Sequence, residues 1–167
     1  MLIDIKESIE INTSAEKAWE IIGPNFLNIG DWGRGIKHSW NNEDAKTIFE
    51  GAPAGGRFCD LGKMGIAEEH ILHYDQVKRE ITWSAQSDKI PRFLKNLQNA
   101  LKVEALDEHT CKVSTNITAD ATGIGGILMG RMIMKNFEKL LKGFVTDCKY
   151  YSETGKVSVA KERELGN

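Results

Sequence analysis

The chain has 167 residues, 41% of them hydrophobic and 28% charged, with 22 basic and 24 acidic side chains for a net charge of −2. That length suits one domain with a sizeable core, and the charge lacks the basic surplus or stripe of a nucleic-acid binder. Three cysteines, with no Cys-x-x-Cys pair, argue against a disulfide framework or a zinc ribbon, so a cytoplasmic globular protein is expected.

Residues 3–11 alternate apolar and polar side chains, the period of a half-buried strand. Thr13-Ser-Ala-Glu16 reads as a capping box, opening a helix whose apolar face is Ala18, Trp19, Ile21 and Ile22 and which Gly23-Pro24 ends. A second short helix is expected over residues 25–32. Strand-like stretches then follow at 35–40, 46–51, 56–62, 66–74, 79–87, 96–106 and 110–119, joined by short turn-like linkers. Such spacing favours an antiparallel meander over parallel βαβ units. From residue 126 to 154 the period changes. Met129, Ile133, Phe137, Leu140, Phe144, Cys148 and Tyr151 form one stripe of a long helix. One helix cannot cover both faces of so many strands, so a curved sheet gripping the helix, with a cavity at one end, is the economical arrangement. A single domain over 1–155 is expected, with 156–167 a flexible polar tail. The N-terminus MLIDIKESIE lacks the apolar run of a secretory signal. No stretch approaches the roughly 20 apolar residues of a membrane span, so stable membrane insertion is not expected.

The segment Ile66-Ala-Glu-Glu-His-Ile-Leu-His-Tyr74 carries the most chemistry. Glu68 and Glu69 are adjacent, so in a regular strand one of them faces inward. The inner face is either Ala67/Glu69/Ile71/His73 or Ile66/Glu68/His70/Leu72/Tyr74, and hydrophobicity does not choose. An inward acid is either a group in an apolar pocket, able to bind or protonate a ligand, or a carboxylate at a solvated end or paired with Arg or Lys. On neighbouring strands Trp83 shares an inner face with Ile81 and Ala85, and Leu97, Asn99, Leu101 and Val103 form one inward row. With Met129, Ile133 and Phe137 of the long helix, these are the candidate lining. His70 and His73 point to opposite faces and do not form the helical pair of a metalloprotease. Gly123-Ile-Gly-Gly126 lacks the third glycine of a dinucleotide loop; it reads as a tight entry to the helix. No metal or cofactor is expected, and the cysteines read as small buried hydrophobes. Gly62-Lys-Met-Gly65 could cover a cavity, with Met64 as a flexible apolar lid.

Thr13-Ser-Ala-Glu-Lys-Ala-Trp19, Asp31-Trp32, Gly55-Gly-Arg57, Glu69-His-Ile-Leu-His-Tyr-Asp75 and the long C-terminal helix together resemble the START-like superfamily (SRPBCC, or Bet v 1-like), in particular its polyketide cyclase/dehydrase-type proteins. The resemblance spans residues 3–154. It implies an α+β helix-grip fold: a curved seven-stranded antiparallel sheet around a long C-terminal helix, with two short helices between the first and second strands. It also implies an internal pocket for a hydrophobic or amphipathic small molecule. Glu69 falls at the place of a pocket acid, which favours the Ala67/Glu69/Ile71/His73 inner face. By the same match Trp83, Leu97 and Asn99 lie on pocket strands, and Gly62–Gly65 forms the gate.

Three functions compete. The mostly apolar inner rows favour a carrier or sensor of a lipid, isoprenoid or polyketide-like molecule. A cyclase or dehydratase would use Glu69 as general acid/base, with His38 or His73 assisting and Asn99 orienting a carbonyl. His38 can take part only if Ile36, His38 and Trp40 form the inner row of their strand. A protein-interaction module would instead have a filled interior. Oligomeric state is not readable from the sequence.

Overall fold

A computed structural model describes residues 1–46 and 49–166. Among these, the strands are β1 (Leu2–Ile11), β2 (His38–Asn41), β3 (Gly56–Asp60), β4 (Ile66–Asp75), β5 (Glu80–Gln86), β6 (Leu94–Ala105) and β7 (Cys111–Ala121). The helices are α1 (Ala15–Ile22), α2 (Ile29–Trp32), α3 (Gly123–Thr154) and α4 (Val159–Leu165). The strands form one antiparallel sheet in the order β1-β7-β6-β5-β4-β3-β2. The α+β helix-grip arrangement expected above is the one found. Of the expected strand 46–51, Thr47 and Ile48 lie outside the described residues, and Phe49 to Gly51 are bend and turn.

Alternation places the inner rows. Ile3, Ile5 and Ile11 of β1 and the odd-numbered residues of β7 from Cys111 to Ala121 are buried, with Ile5 opposite Ile117 and Ile11 opposite Cys111. α3 lies across these strands at their inner face. It enters tightly, as its glycines suggest. A Cβ on Gly126 would come within 2.6 Å of the Ala121 backbone, and one on Gly130 within 2.1 Å of the Met1 side chain. The core divides into two parts. One gathers Trp19, Phe26, Trp32, Ile71, Trp83 and their neighbours around α1 and α2; the other gathers Ile3, Ile5, Leu94, Ile117, Ile133 and Leu141 under α3.

Three local expectations are corrected. The α1 cap is Ser14, whose hydroxyl accepts from the Lys17 amide at 3.3 Å, one residue later than Thr13, because Ser14 holds the extended dihedrals a cap requires. The buried stripe of α3 runs through Ile133, Leu141, Val145 and Cys148, and Leu140 is exposed. Residues 156–167 also do not simply trail as a tail. Ser158 caps α4, Lys161 is fully buried with its Nζ donating to the Ile36 carbonyl, and Glu164 accepts from the Gly35 amide at 2.7 Å. Removing residues 159–166 is expected to cost about 2 kcal/mol, since two anchoring hydrogen bonds contribute about 1 kcal/mol each. A thermal melt of the shortened chain should show a Tm lower by about 4–8 °C; an unchanged Tm would mean that α4 holds nothing in place.

Candidate functional site

The inner surface between sheet and helices has two ends of different character. At one end Arg57 of β3 stands opposite Glu69 of β4, both pointing inward and both buried. Arg57 Nε donates to Glu69 Oε2 at 2.6 Å, and its NH1 donates to the Phe26 carbonyl. The guanidinium lies 3.8 Å from the centre of the Phe26 ring and 5.6 Å from that of Trp83, a placement that suits a weakly hydrated, planar cation. Cys59 sits 3.8 Å from the same carboxylate, and burial, reinforced by that negative charge, pushes its thiol up to about 12. Around this pair Ile21, Ile22, Ile29, Trp32 and Phe144 leave a void of about 10 Å³, room for about one water. Of the two readings of an inward acid, the geometry realises the paired one.

The bulge in β4 decides which neighbours Glu69 has. Ile71 pairs with Trp83 but His73 pairs with Thr82, so Leu72 is the extra residue. Parity is reset there. Tyr74 turns inward, 5.5 Å from Trp19 by ring centres, and donates to Gln76 Oε1 at 2.7 Å. His73 therefore faces outward, 3.7 Å from Glu80, contrary to the inner row the resemblance implied. His38 is corrected likewise. Ser39 and Asn41 of β2 pair with the inward Cys59 and Arg57, and His38 joins an outer aromatic ladder, stacked at 5.5 Å on Trp40, which lies 5.7 Å from Phe58. Neither histidine meets Glu69. His70 also faces outward and bonds Glu68 at 2.8 Å. Among the described residues no three His, Cys, Asp or Glu side chains converge on a metal-sized site.

The other end is looser. Ile133 is buried, whereas Leu97 and Phe137 pack against its cluster while only half-buried, and Asn99 is half-buried with its Oδ1 accepting from Thr115 Oγ1 at 2.7 Å. Met129 and Met132 are exposed on a flank of α3. About three to four turns further on, the same flank is covered: Arg34 packs over Gly143, and Asp147 binds Arg34. The β3–β4 and β5–β6 loops touch each other. Gly62–Met64 forms a single tight turn closed by Leu61 N to Gly65 O at 2.9 Å, with Gly62 at φ 62° and Gly65 at φ 77°, a region only glycine enters freely. Met64 at its tip is 57% exposed, and its carbonyl accepts from Ser87 Oγ of the β5–β6 loop at 3.3 Å. Of the candidate lining, Glu69, Ile71, Trp83 and Leu101 thus belong to the filled end, whereas Leu97, Ile133 and Phe137 gather at the loose one.

A wider, open groove of about 540 Å³ lies on the opposite face of the sheet, floored by Ser8, Thr82, Ala100, Ser114 and Asn116. Those even-numbered residues alternate with the inner rows, so this groove is not the internal space that the fold encloses.

Sequence reasoning missed Arg57 as a site residue, although its two-residue spacing from Cys59 already put both on one face. It also missed Asp147, fully buried on α3. Asp147 accepts from the Arg34 backbone amide at 2.9 Å, from its Nε at 2.8 Å and from its NH2 at 2.5 Å.

The profile of the family described as polyketide cyclase / dehydrase and lipid transport matches residues 3–153. No curated protein sequence matches the chain. Among solved structures, protein XoxI from Bacillus cereus superposes with a TM-score of 0.70 at 17% identity, over 88% of this chain and 93% of that one. A START superfamily protein from Mycobacterium smegmatis gives 0.63 at 13% identity, over 88% and 97%. A norcoclaurine synthase point mutant from Thalictrum flavum, bound to a transition-state analogue, gives 0.67 at 11% identity, over 91% and 94%. At such identities the likeness is one of fold.

Proposed function

The chain belongs to the polyketide cyclase/dehydrase and lipid transport family, and on that premise we propose that it is a carrier or sensor of a hydrophobic or amphipathic small molecule. The molecule, of lipid, isoprenoid or polyketide type, would lie between β6 and the N-terminal half of α3. The observation that carries the reading is the half-buried inner row at this end: Leu97 and Phe137 give apolar walls that their neighbours cover only in part. Asn99, with its oxygen held by Thr115, keeps its amide nitrogen as a donor for one polar group of the ligand. A few placed polar groups in an apolar lining fit such ligands. Met129, Met132 and Met64 supply adaptable apolar contacts around the entry. Acid–base chemistry is less well supported, because Glu69 is held by Arg57 and neither His38 nor His73 reaches it.

Native mass spectrometry of the purified protein and thermal shifts over a lipid, isoprenoid and aromatic polyketide panel test this. A bound ligand at about a hundred times its Kd adds about 2.7 kcal/mol, a Tm rise of several degrees. Leu97→Trp, which adds bulk at the half-buried row where the ligand would lie, should abolish that rise while the unliganded Tm stays within about 3 °C. No co-purified mass and no shift across the panel would sink the reading. A ligand whose turnover falls in Glu69→Gln would favour the cyclase or dehydratase instead.

A further inference from the structure

The first turns of α3 are apolar on the side turned away from the sheet. Their sheet side is already occupied, with Gly126 against Ala121 and Gly130 beneath Met1. Yet Ile124, Ile127 and Leu128 are 76%, 77% and 77% exposed, and Met132 on the next turn is 51% exposed. Single exposed apolar residues are ordinary, but a cluster of this kind on adjacent turns of one helix marks a contact surface.

The charge beside the cluster indicates what it contacts. Ile124, Leu128, Arg131 and Lys135 are spaced 4, 3 and 4 apart, so the apolar stripe runs directly into a basic one. Residues 121–142 hold four basic side chains and one acidic, Glu138, in a chain whose net charge is −2. Lys142 is engaged with Glu7 at 3.7 Å, whereas Arg131, Lys135 and Lys139 form no ion pair among the described residues. Arg92 adds a further exposed cation beside Phe93, which packs where a Gly125 side chain would stand. A nucleic acid would use the basic residues but not the isoleucines. A buried protein core would use the isoleucines but not an uncompensated basic rim. An anionic bilayer surface uses both: the apolar side chains enter the headgroup boundary and the cations meet the lipid phosphates.

We propose that the exposed face of the N-terminal half of α3 docks the protein, peripherally and reversibly, on anionic lipid bilayers. No described helix is long and apolar enough to cross a membrane, and three or four side chains suffice only for a shallow, salt-sensitive contact. The proposal stands apart from the ligand reading, since it is measured without any ligand.

The test is flotation of the full chain with phosphatidylcholine vesicles prepared with and without phosphatidylglycerol. Binding is expected only with the anionic lipid and should weaken as salt rises. Arg131→Gln with Lys135→Gln should weaken it by about tenfold or more, and Ile127→Asp with Leu128→Asp by a similar factor. These positions are on the surface, so the melting temperature should hold; if the aspartates lower it, Ile127→Ser with Leu128→Ser carries the comparison. Absence of binding to either vesicle, equal binding to both, or binding unchanged by the substitutions would overturn the proposal. So would a dimer in sedimentation velocity that the same substitutions break while vesicles stay unbound, which would give the face to a second copy of the chain.

Discussion

Replacing Arg57 by methionine is expected to destabilise the fold by about 3–5 kcal/mol, the usual cost of removing one partner from a buried ion pair. The side chains of Arg57 and Glu69 are 5% and 12% exposed, so water cannot replace the guanidinium. The loss leaves Glu69 facing Phe26 and Trp83, and it removes the donor to the Phe26 carbonyl. The double variant Arg57→Met, Glu69→Leu removes both charges and should recover most of the loss, because a well-packed apolar pair of similar volume matches or exceeds a buried ion pair. Urea unfolding of the three proteins checks this. A single-variant loss under about 1 kcal/mol would show that the pair is not a structural element. The double variant also tests where the ligand sits. With the proposed space at Leu97 and Phe137, the ligand-induced rise in Tm should survive in it. A fold restored but a rise lost would move the ligand to the Arg57 end.

How far the sequence could be read follows from the range of the interactions involved. Period-two alternation located β1, β4, β5, β6 and β7 within about two residues of their observed spans, because each has one face on the core. The same parity argument failed at Leu72, where one extra residue sends Tyr74 inward and His73 outward; nothing local in His-Ile-Leu-His marks that bulge. β2 defeated the argument for another reason. On this edge strand the aromatic His38 and Trp40 stack along the outer face with Phe58, while the small polar Ser39 turns inward, accepting from Gly30 and donating to the Leu27 carbonyl. α4 was hidden because its seven residues carry no apolar period. Its order comes from contacts more than 120 residues away along the chain, to Gly35 and Ile36. The Glu69 position was legible in outline. Its partner Arg57 lies only 12 residues away, yet the pairing required a register that the sequence leaves open.

Asp147→Ala should be the second large loss, about 3 kcal/mol at neutral pH, with a defined dependence on acid. Asp147 is fully buried, and burial alone would raise its pKa. Hydrogen bonds from Arg34 and Ser158, together with the Arg34 charge, outweigh that and hold it below the ordinary 3.8. The same contact raises Arg34. The exchange to alanine strips the partner from the Arg34 backbone amide and guanidinium and opens a small void behind α3, costs that together reach about 3 kcal/mol. Because the Arg34 side chain is 36% exposed, water solvates part of it, which keeps the loss below that of a fully enclosed pair. The sign of the pH effect follows from linkage. A carboxylate whose folded pKa is depressed contributes stability that is fully present above its unfolded value and is lost as pH falls through the folded value. The stability gap between wild type and Asp147→Ala should therefore be constant from pH 7 to about 5, then narrow as pH falls below the ordinary 3.8. Asp147→Asn, which keeps the volume but not the charge, should lose less at neutral pH and show the same narrowing. Chemical denaturation of the three proteins at stepped pH measures both gaps. A gap that stays constant in acid would show that Asp147 acts through volume alone, and α3 would then be tied to the α2–β2 loop by packing without its charge.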